Sequence, residues 1–71
     1  GYLGSAYDSL GKYEKAIAFH EQSLAIEREI GYRQGEAISL GKLASAYKSL
    51  GEYEKAIAFH EQSLAIKREI E

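Results

Sequence analysis

Residues 1–31 read GYLGSAYDSLGKYEKAIAFHEQSLAIEREIG, and residues 41–71 read GKLASAYKSLGEYEKAIAFHEQSLAIKREIE. Laid over one another they give 25 identities and six differences: Tyr2/Lys42, Gly4/Ala44, Asp8/Lys48, Lys12/Glu52, Glu27/Lys67 and Gly31/Glu71. The period is 40 residues, and self-similarity of that length marks a stacked-repeat architecture. The units are residues 1–31 and 32–71. No counterparts of Tyr32 to Leu40 precede Gly1, so the first helix of the first unit is expected to be truncated.

The pattern inside each copy is helical. In Tyr53–Ile70, the apolar or small residues Tyr53, Ala56, Ile57, Phe59, His60, Ser63, Leu64 and Ile70 recur at the spacing of one buried stripe, with Glu54, Lys55, Glu61, Gln62 and Arg68 opposite. No alternating run is long enough for a strand, and no proline interrupts the pattern. Gly11 and Gly51 each follow a leucine and precede a charged residue and a tyrosine, as expected of a glycine that closes a helix before a tight turn. Glycine at both ends of Gly31–Gly35 predicts a second joint of a few residues. The expected helices are about 2–10, 12–30, 34–50 and 52–70. Small residues at Gly4, Ala16, Ala44 and Ala56 let the helices of a hairpin approach. Tyr7, Leu10, Phe19, Leu43, Tyr47, Leu50 and Phe59 are the expected bulk of the core.

Composition narrows the function. A chain of 71 residues with no cysteine has neither a disulfide nor a thiolate metal site to support a small core, and a domain of this size buries only roughly 60% of its unfolded surface. A net charge of −2 argues against a nucleic-acid backbone as partner, because that affinity comes from clustered Lys and Arg. No run of ~18 apolar residues spans a membrane, and no signal peptide is visible. The expected setting is cytoplasmic.

No catalytic or metal constellation emerges. His20 and His60 are each followed by glutamate, but H-E-x-x-H needs a second histidine four residues on, where Leu24 and Leu64 stand. Both histidines are expected to be packed and hydrogen-bonded instead. Gly35 to Lys42 fails the phosphate-loop pattern, since five residues separate Gly35 from Gly41 and Leu43 follows the lysine. The serines have no base nearby in sequence. Ser23 and Ser63 lie on the buried stripe and are expected to bond the carbonyl of the preceding turn. The chain reads as a non-enzyme without cofactor or metal.

The segment Ala46-Tyr-Lys-Ser-Leu-Gly-Glu-Tyr-Glu-Lys-Ala-Ile57 resembles the core of the tetratricopeptide repeat. The signature W-x2-L-G-x2-Y followed by A-x3-F is matched by Leu40, Leu43, Ala44, Tyr47, Ala56 and His60, and in the first copy by Leu3, Gly4, Tyr7, Ala16 and His20. Arg28 and Arg68 stand near the place of the family's closing proline, and the second helix continues for a further turn. This long-helix variant is similar to repeats of cell-polarity adaptors of the Pins/LGN type and, less closely, of kinesin light chains. The resemblance implies an all-α, right-handed solenoid of tandem antiparallel hairpins that serves as a protein-interaction scaffold.

Winding Ile38 to Leu50 at about 100° per residue sets Leu40, Leu43, Ala44, Ala46, Tyr47 and Leu50 on one side. Ile38, Gly41, Lys42, Ser45, Lys48 and Ser49 fall on an opposite arc. In the family that arc is the concave, ligand-facing surface. The resemblance therefore implies a peptide-binding face of Tyr2, Ser5, Asp8 and Ser9 in the first copy and Lys42, Ser45, Lys48 and Ser49 in the second. With Lys42 and Lys48 on such a face, acidic ligands are expected to bind better than basic ones. The family's carboxylate clamp uses asparagines on this face, and the chain has none. An alternative function is a structural array, natural or designed, that self-associates by stacking end to end or by exchanging helices in a swapped dimer.

Overall fold

The computed structural model describes residues 2–71, with the side chain of Tyr2 outside the described residues. Four α-helices follow one another: α1 (Tyr2–Ser9), α2 (Tyr13–Ile30), α3 (Arg33–Ser49) and α4 (Tyr53–Ile70). Each packs on the next in chain order, α1 on α2, α2 on α3 and α3 on α4. The result is two antiparallel hairpins laid side by side, and no strand is present among the described residues.

One device ends each of the first three helices. Gly11, Gly31 and Gly51 have φ of 75°, 75° and 79°, a left-handed conformation that an L side chain resists. The residue after each glycine donates its N–H to a carbonyl five residues back: Lys12 to Tyr7 and Glu52 to Tyr47 at 2.9 Å, and Tyr32 to Glu27 at 2.9 Å. This closure satisfies carbonyls that a helix end leaves open. The joint inside each hairpin is three residues long, and the joint between hairpins is only Gly31–Tyr32.

That second joint is shorter than the Gly31–Gly35 loop expected from sequence. Gly35 lies inside α3 and is buried. A Cβ there would stand 2.8 Å from a carboxylate oxygen of Glu27, with the Tyr32 ring also in its way. Gly35 therefore leaves room for the Tyr32 ring and the Glu27 carboxylate rather than making a turn.

The core is centred on α3, which packs between the two longest helices, α2 and α4. Ala37, Leu40, Leu43 and Ala46 of α3 cluster with Ile17 and Leu24 of α2 and Ile66 of α4, and Tyr47 and Phe59 pack against this cluster. The aromatic pairs repeat between copies. Tyr7 stacks on Phe19 and Tyr47 on Phe59, each with ring centroids 5.5 Å apart, and Lys15 and Lys55 lie over the outer faces of Tyr7 and Tyr47. Stacking of this kind adds about 0.5–1.5 kcal/mol beyond area burial. It leaves all four rings half-buried rather than fully enclosed.

Two core assignments are overturned. Leu10 is 68% exposed and Leu50 40% exposed, because both sit in the hairpin turn beyond the last helical residue. Leu50 lines an open groove with the Gly11–Lys15 turn of the preceding hairpin. The stripe assigned to α4 is also only partly covered. Ala56 and Ser63 are buried and Phe59 and Leu64 half-buried, but Tyr53, Ile57, His60 and Ile70 are exposed, while Ile66, outside that stripe, is buried.

Candidate functional site

The residues assigned to the concave face divide into two groups. Ser5 and Asp8 of α1 and Lys42 and Ser45 of α3 line one open groove of about 430 Å³, together with Ala37, Ile38, Gly41 and, from α4, Lys67. Helical winding alone brings Lys42 and Ser45 to one face of α3. The stacking of the two hairpins then brings Ser5 and Asp8 alongside them, and the Lys42 ammonium donates to Ser5 Oγ at 3.2 Å. Lys48 is exposed and lines a different groove, between α3 and α4, with Tyr53, Ala56, Ile57, His60 and Glu61. Ser9 and Ser49 are exposed and line neither groove. The Tyr2 side chain lies outside the described residues.

The first groove combines two cations with one acid. Lys42 is half-buried and Lys67 exposed, while Asp8 is engaged by a histidine from behind. His20 is fully buried, and its Nε2 lies 2.8 Å from Asp8 Oδ2. This matches the packed, hydrogen-bonded role expected for His20, although its Nδ1 has no partner. His60 departs from that expectation and is exposed. Two of the six differences between copies fall on the residues that His20 engages. The His20 ring rests on Gly4, where a Cβ would stand 2.6 Å from its Cε1, and the second copy has Ala44 there and Lys48 in place of Asp8.

Ser63 also differs from expectation. Its hydroxyl donates at 2.8 Å to the carbonyl of Ala37 on α3, across the hairpin rather than back along its own helix. At Gly41 a Cβ would come within 3.7 Å of Ser63 Oγ, so α3 and α4 run close enough for this bond to form.

Sequence reasoning missed the polar seam between α2 and α3. Glu36 is buried and accepts from Arg28 Nε at 3.1 Å and from Arg33 Nη1 at 2.8 Å. Ser39 donates to Glu27 Oε1 at 2.6 Å. Arg33 also reaches Glu69 on α4 at 2.5 Å. The hydrogen bond to Glu69 is the largest cause holding the Arg33 guanidinium even more firmly protonated than usual, with the charge of Glu36 adding to it and desolvation opposing. A glutamate in the first turn of α3 is the only local signal of this seam, since carboxylates favour helix N-termini.

Among the described residues, no group of three or more His, Asp or Glu is placed to hold a metal ion. No helix is long and apolar enough to cross a membrane.

Comparison with known proteins agrees with this architecture. The family described as "Tetratricopeptide repeat" matches residues 1–69. G-protein-signaling modulator 1 of Mus musculus is 46% identical over 41 residues, which cover 58% of this chain and 6% of that protein. The Rattus norvegicus protein of the same name gives the same values. The chain thus spans a small fraction of the length of these curated relatives.

Proposed function

Because the chain belongs to the tetratricopeptide repeat family, whose repeats mediate protein–protein interactions, we propose that it is a non-catalytic scaffold that holds a peptide segment of a partner in the groove between its two hairpins, in a cytoplasmic setting. The observation that carries this reading is the meeting of Ser5 and Asp8 with Lys42 and Ser45 around one groove, from helices separated by more than thirty residues in sequence. Ile38, half exposed in its floor, offers an apolar contact. Lys42 and Lys67 outnumber the one carboxylate of the groove, Asp8, and favour an acidic side chain on the ligand. The test is a titration of matched acidic and basic peptides followed by fluorescence anisotropy. The acidic peptide binds more tightly, and its advantage falls with added salt as exposed charges are screened. A Lys42→Ser chain loses that advantage. Equal binding of the two peptides sinks the reading.

A second reading, an array whose copies stack end to end, is favoured by one observation. Ile17 on α2 is 8% exposed under α3, whereas Ile57, its counterpart on α4, is 59% exposed. Sedimentation over a wide concentration range separates the possibilities. Stacking gives a mass that keeps rising, and a swapped dimer stops at two.

A further inference from the structure

Given that the groove between the hairpins holds a partner's peptide, we propose that this peptide carries an acidic side chain and a basic one two residues apart. The acid meets Lys42 and the base meets Asp8, and His20 is the positioning residue that keeps Asp8 available for the second contact. The two charges come from different copies. The first copy has Tyr2 where the second has Lys42, and the second has Lys48 where the first has Asp8. The meeting of α1 with α3 sets an anion and a cation around one groove.

These two charges are neighbours that do not pair. Among the described residues Lys42 makes no ion pair, and its ammonium donates to Ser5 Oγ at 3.2 Å. Ser5 and Asp8 are three residues apart on α1, so they share a face with about 5–6 Å between them. Asp8 is engaged instead by His20, whose Nε2 lies 2.8 Å from Oδ2. His20 is fully buried, and its Nδ1 has no partner. A proton on Nδ1 would be a buried donor without an acceptor, so the ring's proton lies on Nε2 and is donated to Asp8. A neutral imidazole fixes Oδ2 without answering the charge of the carboxylate. The Asp8 side chain keeps 30% of its surface exposed, toward the groove it lines.

A ligand that is acidic only satisfies half of this pair. Its carboxylate gains from Lys42 and is repelled by Asp8, which stands about one helical turn from Ser5. A lysine or arginine on the ligand turns that repulsion into attraction. In an extended segment, residues two apart face the same way at about 6.5 Å, which flexible side chains fit to the spacing of Ser5 and Asp8. Released by His20, the Asp8 carboxylate would turn to the Lys42 ammonium, and the two charges would cancel. The histidine thus keeps both for the ligand.

Synthetic peptides blocked at both ends test this, each a three-residue core flanked by alanines. The cores are Glu-Ser-Lys, its reverse Lys-Ser-Glu, the isomer Glu-Lys-Ser and the acid-only Glu-Ser-Gln. Each is titrated into the intact chain at low salt, with the amide shifts of Ser5, Asp8 and Lys42 read by NMR. One partly exposed charge pair corresponds to about threefold in affinity. The better of the first two cores is expected to bind by that margin more tightly than the isomer and than Glu-Ser-Gln. In the Asp8→Asn chain, whose amide oxygen still accepts from His20, the ratio falls to one and Glu-Ser-Gln binds no more weakly than before. In the His20→Phe chain, which keeps a ring and loses the donor, every core binds more weakly and the ratio again falls to one. His20→Gln, with an N–H at similar reach, restores the ratio, whereas a purely stabilising His20 would change Tm and leave the ratio untouched. Groove shifts with equal affinity for all acid-bearing cores overturn the proposal and leave the acidic-peptide reading standing. A preference that survives Asp8→Asn overturns it as well, and one that survives His20→Phe removes the role given to the histidine. Failure of every core to shift these amides at tens of millimolar, on the order of the weakest affinities such contacts give, removes the proposal and the groove reading together.

Discussion

His20 lies directly on Gly4, so that the missing side chain of one residue is the space occupied by the ring of the other. The same ring reaches Asp8 one helical turn further along α1. Gly4, Asp8 and His20 form a unit that the second copy has lost at two of its three members, and His60 is exposed.

Gly4→Ala raises helix propensity in α1 but drives a methyl group into the His20 ring. The expected net effect in a urea melt is a loss of about 1–3 kcal/mol, the usual cost of overpacking. Adding His20→Ala removes the collision, so the helix-propensity gain appears in the double variant relative to His20→Ala alone. A neutral Gly4→Ala would mean that the ring has room to leave.

Gly31 and Gly35 respond to alanine for different reasons. At Gly31 the left-handed backbone makes any L side chain cost about 1–2 kcal/mol. At Gly35 helix propensity alone predicts a gain of about 1 kcal/mol. The Cβ would meet Tyr32 and Glu27, so Gly35→Ala is expected to destabilise as well. A stabilised Gly35→Ala chain in thermal unfolding would mean that the Tyr32 ring and the Glu27 carboxylate have room to leave.

Ala56 is buried where α3 and α4 cross. Ala56→Leu is expected to cost about 1–3 kcal/mol by overpacking. Ala58, exposed on the other side of the same helix, tolerates leucine within about 0.5 kcal/mol. Equal effects at the two sites would misplace the crossing.

Glu36 is the buried member of its ion pairs, while Arg28 and Arg33 remain half exposed. Removing the carboxylate leaves two guanidinium groups that water can still solvate, so the cost stays below that of an orphaned buried charge. Glu36→Ala is expected to lower stability by about 1–2 kcal/mol, most of it packing and hydrogen bonding. Chemical denaturation in low and high salt checks this, because a mainly coulombic contribution vanishes at high salt and a packing contribution persists.

What the sequence made legible was whatever depends on local chemistry and period. Gly11 and Gly51 close helices at the places their neighbours announce, and the helix boundaries follow to within a residue or two. Exposure depends instead on which helix has a neighbour, and identical residues carry no such information. Ile17 and Ile57 stand in the same local sequence and differ in cover because α3 lies on one of them alone. Leu10 and Leu50 look like core residues by type, but a turn placed beyond the last helical residue holds them out of it. In the groove, Lys42 and Ser45 were predictable from winding, and Ser5 and Asp8 from the repeat. Lys67 was not, because it enters from another helix. Lys48 falls in the neighbouring groove because it lies nearly two turns further along α3 than Lys42.

The glycine turns have a consequence for how the chain finds its fold. Residues Tyr13–Ile26 and Tyr53–Ile66 are the same sequence, so α1 has no means of telling α2 from α4 by the face either one presents. Pairing α1 with α4 differs from native pairing in the length of chain looped out, an entropic difference of about 2 kcal/mol between a three-residue tether and one of some forty. The address of each helix is therefore written in the short left-handed joints that tether it to its neighbour, and loosening those joints yields misdirected partners among otherwise intact helices.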